Sequence, residues 1–398
     1  MKRNLLRRKV AVVLLSVLCL SLQAQNPLSD KAQISLLTCS PSDRAAYTLY
    51  GHTAIRVRDT TGLDFVFNYG IFDFTKPNFI YRFTKGETDY MLGVYKYEEF
   101  IIDYQMRGSE VYEQTLNLQA REKNALWQAL VINALPENRT YRYSFFYDNC
   151  STRPVLLIER FVDGLLEYEK YTESCTYRDA INKCTRDYPW LTFGCDLVLG
   201  MPADEVMTRK TSFFLPENVK NAFAHARIVR SDETSQPLVS ASSAIVEAIE
   251  DDEPAHSNRF TPWWCGCLVF AFAVGVTIAE RQTRKYFRWF DILIFTLAGL
   301  AGCILFFLCF VSVHRGIWPN ISVLWLHPFH LAGGIFFAVK KLNKAVFYYH
   351  FVNFVALFVM SVGWLFIPQH LNMAFIPLIA SLLLRSGYGW TRIKENIR

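Results

Sequence analysis

The spacing of apolar and polar residues predicts an α+β domain in the N-terminal half of the chain. Residues 53–58 alternate with a period of two and read as a strand. Thr60-Thr61-Gly62 reads as a turn and 64–69 as the next strand, which together predict a β-hairpin. The same reading predicts a series of further elements: strands at 89–95, 110–118 and 142–147, and helices at 78–83, 120–134 and 151–162. Residues 175–228 read as helical and irregular.

The C-terminal third is dominated by apolar segments long enough to cross a membrane. Five spans are predicted, at about 262–279, 292–313, 322–339, 344–366 and 370–386. Eleven Lys/Arg lie in the loops and end on one side of these spans, whereas only Arg315 lies in the loops on the other side. Because basic loops stay in the cytoplasm, this bias places the C-terminus in the cytoplasm and the N-terminal domain outside. An all-α five-span transmembrane domain is therefore expected at 261–398.

The N-terminus has the pattern of a secretory signal. Five Lys/Arg in the first nine residues precede an apolar run at about 10–22 and a small residue, Ala24. We expect a signal peptide at 1–24 and an exported domain at 25–228. Residues 229–260 are rich in Ser, Asp, Glu and Pro and are expected to form a polar linker. The organisation is that of a bacterial inner-membrane protein with a periplasmic domain.

The charge and the cysteine content of the exported domain limit the functions it can have. The whole chain has a net charge of +6, but residues 25–261 hold 25 Lys/Arg against 33 Asp/Glu, a net charge of −8. Such a domain gives no support for nucleic-acid binding. Its five cysteines are an odd number, so one thiol should stay free, and we expect this to be Cys150. Up to two disulfides, with the pairing open, are expected among Cys39, Cys175, Cys184 and Cys195. No cofactor or metal motif is present in the sequence.

A histidine and a cysteine about a hundred residues apart form a candidate thiol site. His52 begins a predicted strand, and Cys150 follows Asn149 at the start of a predicted helix. A thiol needs a base to attack as a thiolate, and imidazole supplies one. Asn68 on the next strand is expected to orient the ring, with Asp64 as the competitor. Backbone N–H at Cys150, with Asn149 or Tyr147, would stabilise an oxyanion.

Five further polar residues carry alternative interpretations. Arg153 either binds a lipid phosphate or pairs with a local carboxylate. Asn149 or Asp148 would cap the helix that follows. His327 and His330 lie near one end of the third span, where ionisable groups are functional candidates, although interfacial solvation also explains them.

Several of these segments resemble one family of thiol enzymes. The order of His, polar residue and Asn-Cys is similar to that of the permuted relatives of NlpC/P60 peptidases. The segments 51–55, 67–70, 72–74 and 147–150 look more closely like the Lnb-type lipoprotein N-acyltransferase family. The segments 190–194, 214–216 and 324–331 also fit, so the resemblance covers nearly the whole mature chain.

The resemblance implies a permuted papain-like (NlpC/P60-like) fold and an acyl transfer reaction. Cys150 would take a fatty acyl chain as a thioester from a phospholipid or other acyl donor. It would then pass the chain to the α-amine of the lipidated N-terminal cysteine of a lipoprotein. Two other functions remain open: a membrane-anchored cell-wall peptidase or amidase on the same scaffold, and a non-enzymatic membrane scaffold or sensor.

Overall fold

The computed structural model describes residues 27–72, 77–248 and 260–397. The predicted signal peptide at 1–24 lies outside the described residues, as does part of the predicted linker. The described chain forms two compact units. The N-terminal unit contains the described residues up to Phe83 together with 87–175 and 207–248, and the helical unit contains 84–86, 176–206 and 260–397.

An antiparallel seven-stranded sheet is the framework of the N-terminal unit. The strands of the chain are β1 Gln33–Cys39, β2 His52–Arg58, β3 Asp64–Ile71, β4 Asp89–Lys96, β5 Val111–Leu116, β6 Thr140–Arg142, β7 Leu165–Glu167, β8 Arg227–Val229, β9 Ser235–Pro237 and β10 Val239–Val246. The large sheet has the order β10-β5-β1-β2-β3-β4-β6, and β7-β8-β9 form a small second sheet. The strand that carries His52 is therefore central and paired on both sides.

Within the described residues, seven α-helices precede the C-terminal apolar region. They are α1 Phe79–Lys85, α2 Tyr97–Arg107, α3 Ala120–Ala134, α4 Thr152–Phe161, α5 Tyr177–Thr185, α6 Pro189–Val198 and α7 Pro216–His225. Of these, α5 and α6 belong to the helical unit. The α+β class predicted for the N-terminal domain is confirmed.

Alternating side chains give the large sheet two buried faces. Ile55 and Phe67 lie in the larger core with residues of α3, α4 and α7, and Trp127 of α3 packs edge-on against Phe67 with ring centroids 5.9 Å apart. Ala54 and Val66 point to the opposite face, where they pack with residues of α2. Both faces are covered, so apolar side chains point to both sides of the inner strands.

Several predicted elements are confirmed and two are wrong. The hairpin β2–β3 and the helix at 120–134 form as expected. The strand predicted at 142–147 forms instead at Thr140–Arg142, because the amides of Tyr147 and Asp148 donate to the Ser144 carbonyl and fold the segment into a turn. The predicted linker differs as well, since part of it forms β9 and β10.

The C-terminal unit is all-helical. Its apolar helices are α8 Pro262–Thr283, α9 Arg288–Phe310, α10 Phe329–Ala338, α11 Asn343–Val362 and α12 Phe375–Ile397. Among the described residues, four segments are long and apolar enough to cross a membrane: α8, α9, the segment Ile321–Ala338 that ends in α10, and α11. The fifth predicted span coincides with the start of α12, a 23-residue helix that also carries Arg385, Arg392 and Lys394.

Residues 176–206 pack with the helical unit, which differs from the predicted domain boundary at 228. Arg178 of α5 is fully buried and binds Asp196 and Asp204 at 3.1 and 2.8 Å. Asp196 also accepts a hydrogen bond from Asn372, at 2.8 Å. A buried charge needs such partners, so these contacts tie the segment to the helices that follow it.

Candidate active site

Neighbouring strands bring His52 and Asn68 together. His52 begins β2 and Asn68 lies within β3, two strands that pair antiparallel with Ile55 opposite Phe67. His52 Nε2 and Asn68 Oδ1 are 2.6 Å apart. An amide oxygen only accepts, so Nε2 carries the proton and Nδ1 keeps its lone pair. Asn68 thus holds the imidazole in the tautomer that a base requires.

Cys150 lies in the turn before α4, beside the ends of the same two strands. The backbone N–H of Thr53, the residue after His52, lies close enough to the sulfur to lower the pKa of the thiol. Gly70 at the end of β3 is so close that a Cβ built there would lie 3.2 Å from Cys150 Cβ. The nucleophile, base and orienting residue predicted from the sequence therefore all lie in the N-terminal unit, at the start of α4, on β2 and on β3.

Asn149 holds the turn that presents Cys150. Its Oδ1 accepts hydrogen bonds from the backbone N–H of Ser151 and Thr152, at 2.8 and 2.9 Å, at the start of α4. Its Nδ2 donates to two carbonyls, those of Phe145 and Phe214, both at 2.8 Å. The Asn149 side chain is therefore the cap that the sequence suggested, and both amide protons are used within the fold. Donors for an oxyanion are then backbone N–H groups.

Burial keeps both reactive groups neutral near pH 7. Desolvation raises the pKa of the Cys150 thiol to about 11, although the N–H of Thr53 opposes the shift. Desolvation also lowers the pKa of His52 to about 4, against the hydrogen bond that His52 donates to Asn68, which raises it. The resting site thus holds a protonated thiol and a neutral imidazole, so an attack by the sulfur would require the thiol proton to move.

The remaining candidates in this unit have clear partners. Arg153 forms a two-pronged ion pair with Asp148, at 2.6 and 2.8 Å, and stacks over Tyr141 with its guanidinium 3.6 Å from the ring centre. The local-carboxylate interpretation of Arg153 is the one observed. Asp64, the competitor of Asn68, binds Arg56 at 2.7 Å instead.

Tyr147 is 38 % exposed, in the loop before the thiol. It packs edge-on against Phe146, with ring centroids 6.0 Å apart. Its phenol ring therefore lies at the surface of the N-terminal unit near the start of α4.

His327 and His330 belong to the helical unit. The two rings stack with centroids 3.8 Å apart. His330 is fully buried, with Nδ1 2.5 Å from the Tyr349 hydroxyl and Nε2 3.0 Å from the Trp325 carbonyl. No group of three or more His, Cys, Asp or Glu able to hold a metal occurs in the described ranges. Interfacial solvation does not describe His330, which is bound inside the helix bundle.

Sequence reasoning missed residues whose role depends on backbone geometry. Thr53 acts through its N–H, and Gly70 acts by lacking a side chain, so neither carries a chemical signature. Cys39 lies opposite His52 in the β1–β2 pair as a buried free thiol. Cys184 is also a free thiol, so neither forms a disulfide.

A buried charge cluster in the helical unit was missed although the sequence signalled it. Arg385 binds Glu280 at 2.6 Å and Asp291 at 2.7 Å, and all three side chains are fully buried. Tyr286 donates to Asp291 at 2.5 Å. Charged residues inside apolar segments are expected to pair in this way.

Two family models match this chain. The Lnb N-terminal periplasmic domain matches residues 23–182, which include the thiol, the imidazole and the amide described above. The Lnb transmembrane domain matches residues 254–396. Comparison with curated proteins and with solved structures found no match. Together the two matches span most of the sequence and confirm the resemblance, so the chain belongs to the Lnb-type family, with a periplasmic N-terminal domain followed by a transmembrane domain.

Proposed function

We propose that this protein is a thiol-dependent lipoprotein N-acyltransferase. The observation that carries the proposal is the Cys150–His52–Asn68 arrangement in a chain that also has membrane-crossing helices. A nucleophile, a base and a group that orients the base are the parts of covalent acyl transfer. We interpret their order as a permuted papain-like site.

In the first half-reaction, Cys150 takes an acyl chain from a phospholipid or another membrane acyl donor. Sγ attacks the ester carbonyl, a carbon–sulfur bond forms, and the carbon–oxygen bond of the ester breaks. His52 Nδ1 receives the thiol proton and gives it to the departing oxygen. The backbone N–H of Cys150 would stabilise the oxyanion.

In the second half-reaction, the acyl chain passes to the α-amine of the lipidated N-terminal cysteine of a lipoprotein. The amine nitrogen attacks the thioester, a carbon–nitrogen bond forms, and the carbon–sulfur bond breaks. His52 takes the proton of the amine and returns it to the sulfur. The free thiol is restored, so no net proton is consumed and no cofactor is needed.

The proposed location follows from the distribution of charge and apolar segments. We propose that α12 is a fifth span, because its N-terminal half is apolar and the loop bias of Lys/Arg requires an odd number of spans for a cytoplasmic C-terminus. The N-terminal domain would then face the periplasm after removal of the signal. Donor and acceptor are both held by the membrane, which explains a thiol enzyme attached to several spans.

The first experiment is intact-mass analysis of the full-length protein incubated with phospholipid vesicles. The wild type should gain a fatty-acyl mass that hydroxylamine removes, and Cys150→Ser should gain none that hydroxylamine removes. Cys184→Ser is the matched control, since it removes another half-buried thiol of the chain. Acyl mass on Cys150→Ser of the same lability would contradict the assignment of the nucleophile.

Two other functions predict different outcomes. A cell-wall peptidase or amidase should cleave a peptide amide with the N-terminal domain alone and should form no acyl mass with phospholipid. A scaffold or sensor should tolerate Cys150→Ala without any change in its cellular role. The Asn68 contact that fixes the His52 tautomer, in the same unit as Cys150, favours chemistry over a scaffold.

A further inference from the structure

Aromatic rings surround the thiol on one side. The Cβ position of Gly70 lies 3.2 Å from Cys150 Cβ and 4.0 Å from the ring of Tyr143. Tyr143 stacks on Tyr90 with ring centroids 4.1 Å apart. Burial raises the pKa of both tyrosines, so both rings lie largely away from water. The immediate surroundings of the nucleophile on this side are therefore apolar faces.

These rings continue without a break to the surface. Tyr90 contacts Phe72 with centroids 5.1 Å apart, Phe72 stacks on Phe79 at 6.2 Å, and Phe79 stacks on Phe83 at 5.9 Å. We call the five rings Tyr143, Tyr90, Phe72, Phe79 and Phe83 the aromatic track. The track leads from the thiol to helix α1.

Helix α1 exposes apolar side chains where the track ends. None of its residues is buried, and Ile80, Tyr81 and Phe83 are 80, 53 and 47 % exposed. Its one arginine, Arg82, turns to Asp89 in an ion pair at 3.3 Å. Exposed apolar groups in a contiguous patch mark a surface for an apolar ligand. Here the patch is joined by rings to the reactive sulfur.

We propose that the aromatic track holds the fatty-acyl chain carried by Cys150, with the methyl end of the chain at α1. The inference rests on the proposed function and names the part of the substrate that this unit recognises. The thioester carbonyl stays beside His52, and the chain leaves the site over Tyr143 and Tyr90. Each CH2 group that the rings remove from water is worth roughly fourfold in binding. The track therefore gives the enzyme a preference for long acyl chains.

The test compares acylation of Cys150 by butanoyl and palmitoyl p-nitrophenyl esters in detergent micelles with the full-length protein. The variant Phe83→Ser removes the outermost ring, which is half exposed and outside the reacting atoms. Its control is Ile132→Ser on α3, a side chain of similar exposure at 55 %. A second variant, Phe83→Leu, keeps an apolar group in place. Initial rates of acyl-enzyme formation give kcat/KM for each donor.

We expect Phe83→Ser to lower kcat/KM for the palmitoyl donor by about tenfold, with little change for the butanoyl donor. Phe83→Leu and Ile132→Ser should keep the wild-type ratio of the two donors. An unchanged ratio in Phe83→Ser, or an equal loss with both donors, would overturn the track. Absence of any acyl-enzyme in the wild type with either donor would instead refute the proposed function, and this inference with it.

Discussion

The pH dependence of Cys150 acylation tests the electrostatics of the site. Burial lowers the pKa of His52 from its ordinary 6.5 to about 4, so the imidazole stays a base in weak acid. Burial also raises the pKa of the thiol from 9.0 to about 11, so no thiolate forms near neutral pH. We expect the acid limb of the rate profile to lie near pH 4, with a plateau that extends to about pH 9.

The size of the effect can be worked out for one pair of measurements. With a base of pKa 6.5, the rate at pH 5.5 would be about tenfold below the rate at pH 7.5. With a base of pKa about 4, the two rates should agree within about 10 %.

The same pKa shift of His52 also affects the stability of the fold. Because the unfolded chain binds the proton and the folded site does not, stability is complete above pH 6.5. It falls by at most about 3 kcal/mol as the pH drops towards 4.

The assay is rapid-quench intact mass with a butanoyl ester donor, which avoids the effect of pH on lipid vesicles. Cys150→Ser provides the background at each pH. Thermal unfolding of the wild type and of His52→Gln, measured at pH 5 and 7.5, checks the stability effect separately. An acid limb centred between pH 6 and 7 would refute the lowered pKa of His52. An increase in rate that begins well below pH 9 would refute the raised pKa of the Cys150 thiol.

Three other substitutions test the geometry, and the first two have a matched control variant. Asn68→Ala should slow acylation of Cys150 by roughly 100-fold in the same quench assay, because the imidazole loses the hydrogen bond that fixes its tautomer. The control Asn138→Ala, on an exposed turn, should leave the rate unchanged. Gly70→Ala and Gly62→Ala both force a side chain onto a positive φ, of 93° and 91°, and should each cost about 1–2 kcal/mol in thermal unfolding. Only Gly70→Ala should also slow acylation, because only its Cβ meets the thiol; equal rates in the two would refute the close packing. Arg385→Met should destabilise the helical unit by about 3–5 kcal/mol in detergent melts by leaving two buried carboxylates unpaired, and an unchanged melting temperature would contradict the cluster.

The sequence predicts the parts of the site that depend on side-chain chemistry. His52, Asn68 and Cys150 carry functional groups whose spacing along strands and a helix start can be read from the pattern. The hairpin that holds the first two is marked by alternation and by a glycine turn. These short-range signals are sufficient to predict that His52 and Asn68 meet.

The parts that could not be predicted depend on the backbone or on distant contacts. The N–H of Thr53 would lie near the sulfur whichever side chain this position carried, so the residue type gives no signal. Strand β10 reads as polar because most of its side chains are exposed, and its pairing with β5 is a contact between residues more than a hundred positions apart. Likewise, no local sequence pattern predicts the pairing of Arg178 with Asp196, two helix residues 18 positions apart.

The most direct test of the central claim is a single-turnover transfer from isolated acyl-enzyme. The full-length protein is acylated at Cys150 with an isotope-labelled palmitoyl donor, freed of donor, and mixed with a synthetic diacylated lipopeptide bearing a free α-amine. We predict that the label leaves the protein and appears as an amide on the N-terminus of the lipopeptide at the same rate, and that an N-acetylated lipopeptide receives none. Label that stays on Cys150, or lipopeptide acylated equally well by Cys150→Ser, would contradict the account.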